Sequence, residues 1–250
     1  MINVTKILQK YIKCIDIIYI LLYNPGKGAI KMKRNKTKLV KFLEINEVKD
    51  FQEPIIEKAK VAMSKENMTA TDKITIRDFA VINLVYACAL RISEACNLTL
   101  QDIDLSKRIL YVIDGKGGDR VVPIPEPTIK IINEWLEIRP NWNGNNYVFT
   151  NIKGTTRPGE IRPLNQKYYN QLFNKLAKAT GVTLRDGSVP HPHTLRHSRA
   201  MELYDAVQDI ELLQKLLGHK SISTTQIYAQ VRDERVAKMQ DEITAGLVSI

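Results

Sequence analysis

The chain has 250 residues, 44% of them hydrophobic, with 37 lysines and arginines against 27 aspartates and glutamates, for a formal net charge of +10. That length admits one domain or two small ones, and the composition is that of a globular protein rather than a disordered or fibrous one. The basic excess suits a polyanionic partner, nucleic acid above all, although a merely basic soluble protein carries the same charge.

Residues 2–23 read as one apolar helix that Asn24-Pro25-Gly26 breaks. Its most hydrophobic part, IKCIDIIYILLY at 12–23, contains Lys13 and Asp16 and falls short of the ~20 apolar residues that a bilayer span needs. Asn24-Pro25-Gly26-Lys27 offers no small-residue cleavage site for a signal peptide, so a cytoplasmic protein without a membrane partner is expected. Cys14, Cys88 and Cys96 are odd in number and lack metal-ligand spacing, which points to buried thiols in a reducing compartment. Lys31, Lys33, Arg34, Lys36, Lys38 and Lys41 then make a basic linker, either a solvated tether or a strap over DNA phosphates.

Phe42 to Lys60 should be helical, with Pro54 kinking the helix or starting a new one. Ile74 to Leu90 is apolar on nearly all sides, as a buried helix is, and Arg91 follows directly in Ala89-Leu90-Arg91-Ile92-Ser93-Glu94. A guanidinium so close to a core needs an anion, either a structural carboxylate such as Glu94 or a substrate phosphate. Arg108 to Ile113 alternates like a strand, 114–119 is turn chemistry around Lys116, and Val121 to Ile124 returns. Thr128 to Ile138 forms an amphipathic helix ended by Arg139-Pro140. Tyr147-Val148-Phe149 suggests a short buried strand, and Asn165 to Thr180 a helix stopped by Gly181. A last helix is expected over Arg232 to Val248. The predicted fold is mainly α with a small antiparallel β-hairpin or sheet.

The most informative stretch is HPHTLRHSRAMELYDAVQDIELLQKLLGHKSISTTQIY, from His191 to Tyr228, which holds all four histidines. His193 and Arg196 share a helix face. Leu212, Leu213, Leu216 and Leu217 recur at helical spacing up to Gly218, a residue suited to a helix C-cap. Ser221 and Ser223 are candidate N-caps for a helix carrying Tyr228, nine residues after His219. Consecutive elements thus deliver a cation, imidazoles and a phenol, equipment for phosphate chemistry. His191, His193, His197 and His219 also have tolerable metal spacing, but Arg196 among them would repel a divalent cation, so neither metal nor cofactor is expected.

H-T-L-R-H, L-L-G-H and the following tyrosine together resemble the signature of the tyrosine recombinase, or phage integrase (Xer-type), family. A-L-R-I-S-E at 89–94 is similar to that family's G-L-R-I-S-E, and G-K-G-G-D-R-V-V-P-I at 115–124 to its G-K-G…R-x-V-P hairpin. The resemblance covers roughly residues 39–250 and implies the catalytic-domain fold of the family. It implies that Arg91, Arg196 and His219 hold a scissile phosphate, Tyr228 attacks it, His193 accepts the phenolic proton and Lys116 protonates the leaving oxygen, with Glu94 and His197 supporting. Residues 1–24 then read as the stub of a missing core-binding domain and 25–38 as its linker. Lys33, Arg34, Lys36, Lys38 and Arg120 are candidate DNA contacts.

The expected partner is double-stranded DNA bound by a homotetramer, or by this chain with a related recombinase. The expected activity is metal- and ATP-independent recombination through a 3′-phosphotyrosine. A DNA-binding relative with impaired catalysis and a type IB topoisomerase-like strand cleaver are the alternatives. The first is encouraged by the missing core-binding domain and by Val207, which stands where the family normally has glycine and would be strained if that position needs positive φ. Ala89 also replaces a family glycine, which questions the local backbone but not Arg91.

Overall fold

The computed structural model describes residues 40–113, 118–140, 145–152, 163–229 and 231–232. Helix α1 (Ile45–Met63) starts where the backbone N–H of Glu44 donates to Oε2 of Glu47 at 2.7 Å, satisfying a donor that the first turn leaves over. Pro54 does not begin a new helix: it lies inside α1, whose buried face of Val48, Phe51, Ile55 and Ala59 runs past it. The lost backbone bond is offset by anchoring on both sides, since each fully buried large apolar side chain contributes roughly 1.5–3 kcal/mol.

Helix α2 (Ala70–Ala87) is the axis of the fold. Thr69 caps it by accepting from the N–H of Asp72, and the Asp72 carboxylate in turn accepts from the N–H of Thr69 at 2.8 Å. Its sequence lacks a polar side because α1, α4 (Glu126–Ile138) and α6 (Pro192–Val207) all pack on it. Cys88 closes α2, and Ala89 turns the chain with φ of 49° into α3 (Ile92–Asn97).

The small sheet follows, with β1 (Ile103–Asp104), β2 (Ile109–Val112) and β3 (Arg120–Pro123) antiparallel in that order. Val112 pairs with Arg120 and Leu110 with Val122; Leu110, Val112 and Val122 face the core while Tyr111 and Val121 face out. Strand β1 was not expected from the sequence, and two residues carry too little alternation to announce it. Tyr147 to Phe149 is not a strand but a single antiparallel bridge, Thr99 with Tyr147, beside the fully buried Val148 and Phe149. Trp135 of α4 holds that segment, donating Nε1–H to the Val148 carbonyl at 2.8 Å.

Helix α5 (Gln166–Thr180) is capped by Asn165 and stopped by Gly181 at φ 72°, and its Phe173 meets Phe51 at 5.1 Å between ring centres. Helix α6 ends at Gln208, which takes φ of 58°. Asp209 then caps α7 (Ile210–Leu217), accepting from the N–H groups of Glu211 and Leu212, and Gly218 closes it at φ 64°. A helical segment over 223–229 carries Tyr228. The first helix, the basic linker as far as Lys38 and most of the expected terminal helix lie outside the described residues.

The positive-φ position is therefore Gln208, not Val207, which is the last residue of α6 and half exposed. Val207 is helical and carries no positive-φ strain, which removes one argument for impaired catalysis. Ala89 does adopt the left-handed conformation that the family's glycine would favour, at a cost of about 1–2 kcal/mol for a residue with a Cβ.

Candidate active site

The site is assembled where the starts of α3 and α6, the strand β3 and the C-terminal end of α7 meet. Glu94 is its centre. Arg91 precedes α3, with its backbone N–H donating to Oε2 of Glu94 and its Nη1 to Oε1, each at 2.8 Å. Arg120 of β3 approaches from the other side, Nη1 to Oε1 at 3.1 Å and Nη2 to Oε2 at 2.7 Å. Arg196 of α6 stands 3.7 Å from Oε2. Burial pushes the Glu94 carboxyl up, but the Arg120 and Arg91 bonds outweigh it and hold the group down at about 2, ionised at neutral pH.

Arg196 is 1% exposed, a position that α6 can give a guanidinium only if its donors are satisfied. Nη1 donates to the Ala89 carbonyl at 2.7 Å and Nη2 to the carbonyl of Leu217. The left-handed turn at Ala89 thus coincides with a carbonyl aimed at an arginine. Burial, with Arg91 nearby, lowers Arg196 to about 10, which leaves it a cation at neutral pH.

His219 follows Gly218, and its Nδ1 pairs with Oγ1 of the fully buried Thr225 at 3.0 Å. Burial and the Arg196 and Arg91 charges lower its pKa to about 4, so the imidazole is neutral and keeps an N–H to donate.

Tyr228 sits in an apolar seat formed by Phe42, Ala89, Ala200, Met201, Leu213 and Leu217, with no exposed surface. Its hydroxyl lies 2.7 Å from Nδ1 of His197. Burial raises the phenol to about 12 and lowers His197 to about 3, so both are neutral at neutral pH. His193, the acceptor favoured by sequence, lies one turn earlier on α6 with its ring edge-on to His197 at 5.1 Å. Partial burial and Arg196 lower it to about 4.

The structure thus gathers Arg91, Glu94, Arg196 and His219 at one centre, with His193, His197 and Tyr228 along the adjoining face of α6. Lys116, Lys33, Arg34, Lys36 and Lys38 lie outside the described residues. Arg120 is placed differently from its expectation as a DNA contact: its side chain is 5% exposed and its guanidinium is turned inward. His191 stands at the N-cap of α6, where its backbone N–H donates to Oγ1 of Thr194 at 3.1 Å. Among the described residues, no three His, Cys, Asp or Glu side chains are grouped closely enough to hold a metal ion, and no helix is long and apolar enough to cross a membrane.

Two contacts escaped the sequence reading. Arg120 as a partner of Glu94 had no signal beyond its place in the hairpin motif. His197 as the partner of Tyr228 could have been suspected, because residues four apart on a helix, such as His193 and His197, present the same face.

Residues 30–235 match the phage integrase family. The chain is 34% identical over 174 residues to the tyrosine recombinase XerC of Corynebacterium glutamicum, covering 68% of this chain and 52% of that protein. It is 35% identical over 168 residues to the tyrosine recombinase XerA of Pyrococcus furiosus, covering 67% and 54%. The chain spans about half the length of these curated relatives. The crystal structure of XerH site-specific recombinase bound to palindromic difH substrate, a post-cleavage complex, superposes with a TM-score of 0.65 at 27% identity, covering 83% of this chain and 54% of that one. The XerA recombinase crystal structure, at 24% identity and a TM-score of 0.60 over 88% of this chain and 66% of that one, shares the fold.

Proposed function

The chain belongs to the phage integrase family, with the fold of a tyrosine recombinase catalytic domain, and on that premise we propose that it cleaves and rejoins DNA at a specific site through a 3′-phosphotyrosine. The observation that carries the reading is the juxtaposition of Tyr228, bonded to a neutral imidazole, with a centre of guanidiniums that one carboxylate does not neutralise.

Attack on a phosphodiester adds negative charge to oxygens that already carry one, so fixed cations stabilise the transition state more than the ground state. Arg91, Arg120 and Arg196 surround Glu94, and three guanidiniums against one carboxylate leave an excess of two positive charges. That excess matches the two negative charges of a pentacoordinate phosphorane. Arg91, Arg196 and His219 are the groups that would meet its oxygens.

The phenolic oxygen of Tyr228 bonds to phosphorus as its proton passes to an imidazole. We assign that role to His197 on the 2.7 Å bond, in place of His193. The bond to the 5′ oxygen breaks, and Lys116 of the hairpin turn supplies the proton that this alkoxide needs. The phosphotyrosine ester keeps the energy of the broken bond, so a 5′ hydroxyl from another strand can reverse the step without a nucleotide cofactor. Double-stranded DNA is the proposed substrate, bound by several copies of the chain, since strand exchange needs more than one tyrosine.

The test is a pool of nicked duplexes of random sequence, on which cleavage traps the covalent complex by loss of a short strand. The chain should form a denaturant-resistant adduct whose DNA converges on one sequence, and Tyr228→Phe, which removes only the phenolic oxygen, should form none. An adduct that survives Tyr228→Phe would sink the nucleophile assignment.

A further inference from the structure

Arg120 is a buried cation with a full set of inward partners. Both terminal nitrogens grip the two oxygens of Glu94, and Nε donates to the Leu216 carbonyl at 3.0 Å. The next carbonyl along, Leu217, accepts from Arg196. Two successive carbonyls at the C-terminal end of α7, where the helix dipole is negative, are therefore each held by a guanidinium that also faces Glu94. The contacts close a ring through α3, β3, α7 and α6. Gly218 belongs to it as well: a Cβ there would lie 2.9 Å from Cδ of Arg120 and 3.1 Å from Nη1, so the turn that presents His219 is moulded on this side chain.

We infer that Arg120 is a positioning residue for the proposed strand cleavage, occupying Glu94 so that Arg91 and Arg196 stay available to the phosphate, and pinning the end of α7 so that His219 meets it. The inference rests on the recombinase reading above. Its logic is charge competition. Without Arg120, each Glu94 oxygen loses a bond, at 3.1 Å to Oε1 and 2.7 Å to Oε2, and Arg196, 3.7 Å from Oε2, is the nearest guanidinium not already bonded to it. A carboxylate and a phosphate would then compete for one guanidinium, and the excess of two charges would drop to one.

The test uses the full chain and the nicked DNA recovered with the parent protein. Arg120→Met, an apolar side chain of similar length, should bind that DNA with an unchanged salt dependence and form the Tyr228 adduct slower by on the order of 10²-fold, the loss typical of a misplaced transition-state donor. Adding Glu94→Gln to Arg120→Met restores the original charge balance and should recover part of the rate, although the double variant has lost more hydrogen bonds. A residue that only supports the fold would give the opposite, with the double variant worse than the single.

Adduct formation by Arg120→Met at the parent rate overturns the inference. So does a salt slope lower by about one phosphate contact, which would make Arg120 a DNA ligand. If Arg120→Met does not fold, Arg120→Lys replaces it, because an ammonium keeps the charge but cannot hold both Glu94 oxygens and Leu216 together. Arg120→Lys should melt near the parent temperature and cleave more slowly, and cleavage at the parent rate overturns the inference. Failure of the parent itself to form an adduct would instead count against the recombinase reading.

Discussion

The two halves of the candidate site are built on opposite principles. Around Glu94, position is set by directed charge-assisted bonds, with both oxygens engaged and guanidiniums arriving from separate elements. Around Tyr228, position is set by packing in an apolar seat plus one neutral hydrogen bond. Removing one partner of a buried ion pair costs about 3–5 kcal/mol, whereas a neutral hydrogen bond contributes about 1 kcal/mol. The charged half therefore has one geometry and keeps it before a substrate arrives. The phenol has no exposed surface, so its hydroxyl is reached from outside only when the apolar seat opens.

The charged half depends most heavily on Glu94. Glu94→Ala leaves the surrounding guanidiniums without their shared anion and should lower unfolding stability by about 3–5 kcal/mol, read by urea denaturation. A loss under about 1 kcal/mol would mean that the arginines re-pair easily and the half is not preorganised.

A smaller effect on stability, with a large one on rate, is expected at His197. His197→Ala strands a buried phenolic O–H, which costs roughly 1–3 kcal/mol, and removes the proposed acceptor, slowing adduct formation by about 10²–10⁴-fold. His193→Ala should cost less stability, because its ring is more exposed. Should His193→Ala abolish cleavage while His197→Ala leaves it intact, the assignment reverts to His193 and the 2.7 Å bond only seats the phenol.

The smallest effect tests backbone strain away from both halves. Gln208 is exposed at φ 58°, so Gln208→Gly removes a Cβ penalty without opening a cavity and should stabilise the chain by about 1 kcal/mol. Ala89 has a similar φ of 49° but is fully buried, so there a change to glycine would also lose packing. A thermal melt showing no gain for Gln208→Gly would mean that glycine's extra freedom in the unfolded chain cancels the relief.

Much of the architecture could be read locally. Gly181 and Gly218 end helices where the pattern put them, because left-handed closure is a property of a few residues. The hairpin strands and the buried α2 were legible from period and composition. Pro54, the Tyr147 bridge and β1 were not, since neighbours packed from elsewhere decide whether a weak local signal is overridden.

By itself, the sequence determined the helical framework, the kinds of reactive side chain and the order in which consecutive elements deliver them, all of which depend on short-range spacing. Tertiary structure alone decided their partners. It turned Arg120 inward onto Glu94, 26 residues away, and onto Leu216, 96 residues away, and it seated Tyr228 against His197, 31 residues away. A guanidinium or an imidazole has the same local preferences whether it meets phosphate, carboxylate or phenol. The choice falls to whichever partner the packing of β3, α6 and α7 brings within hydrogen-bond reach, because a buried polar group left unpaired costs more than any local propensity can supply.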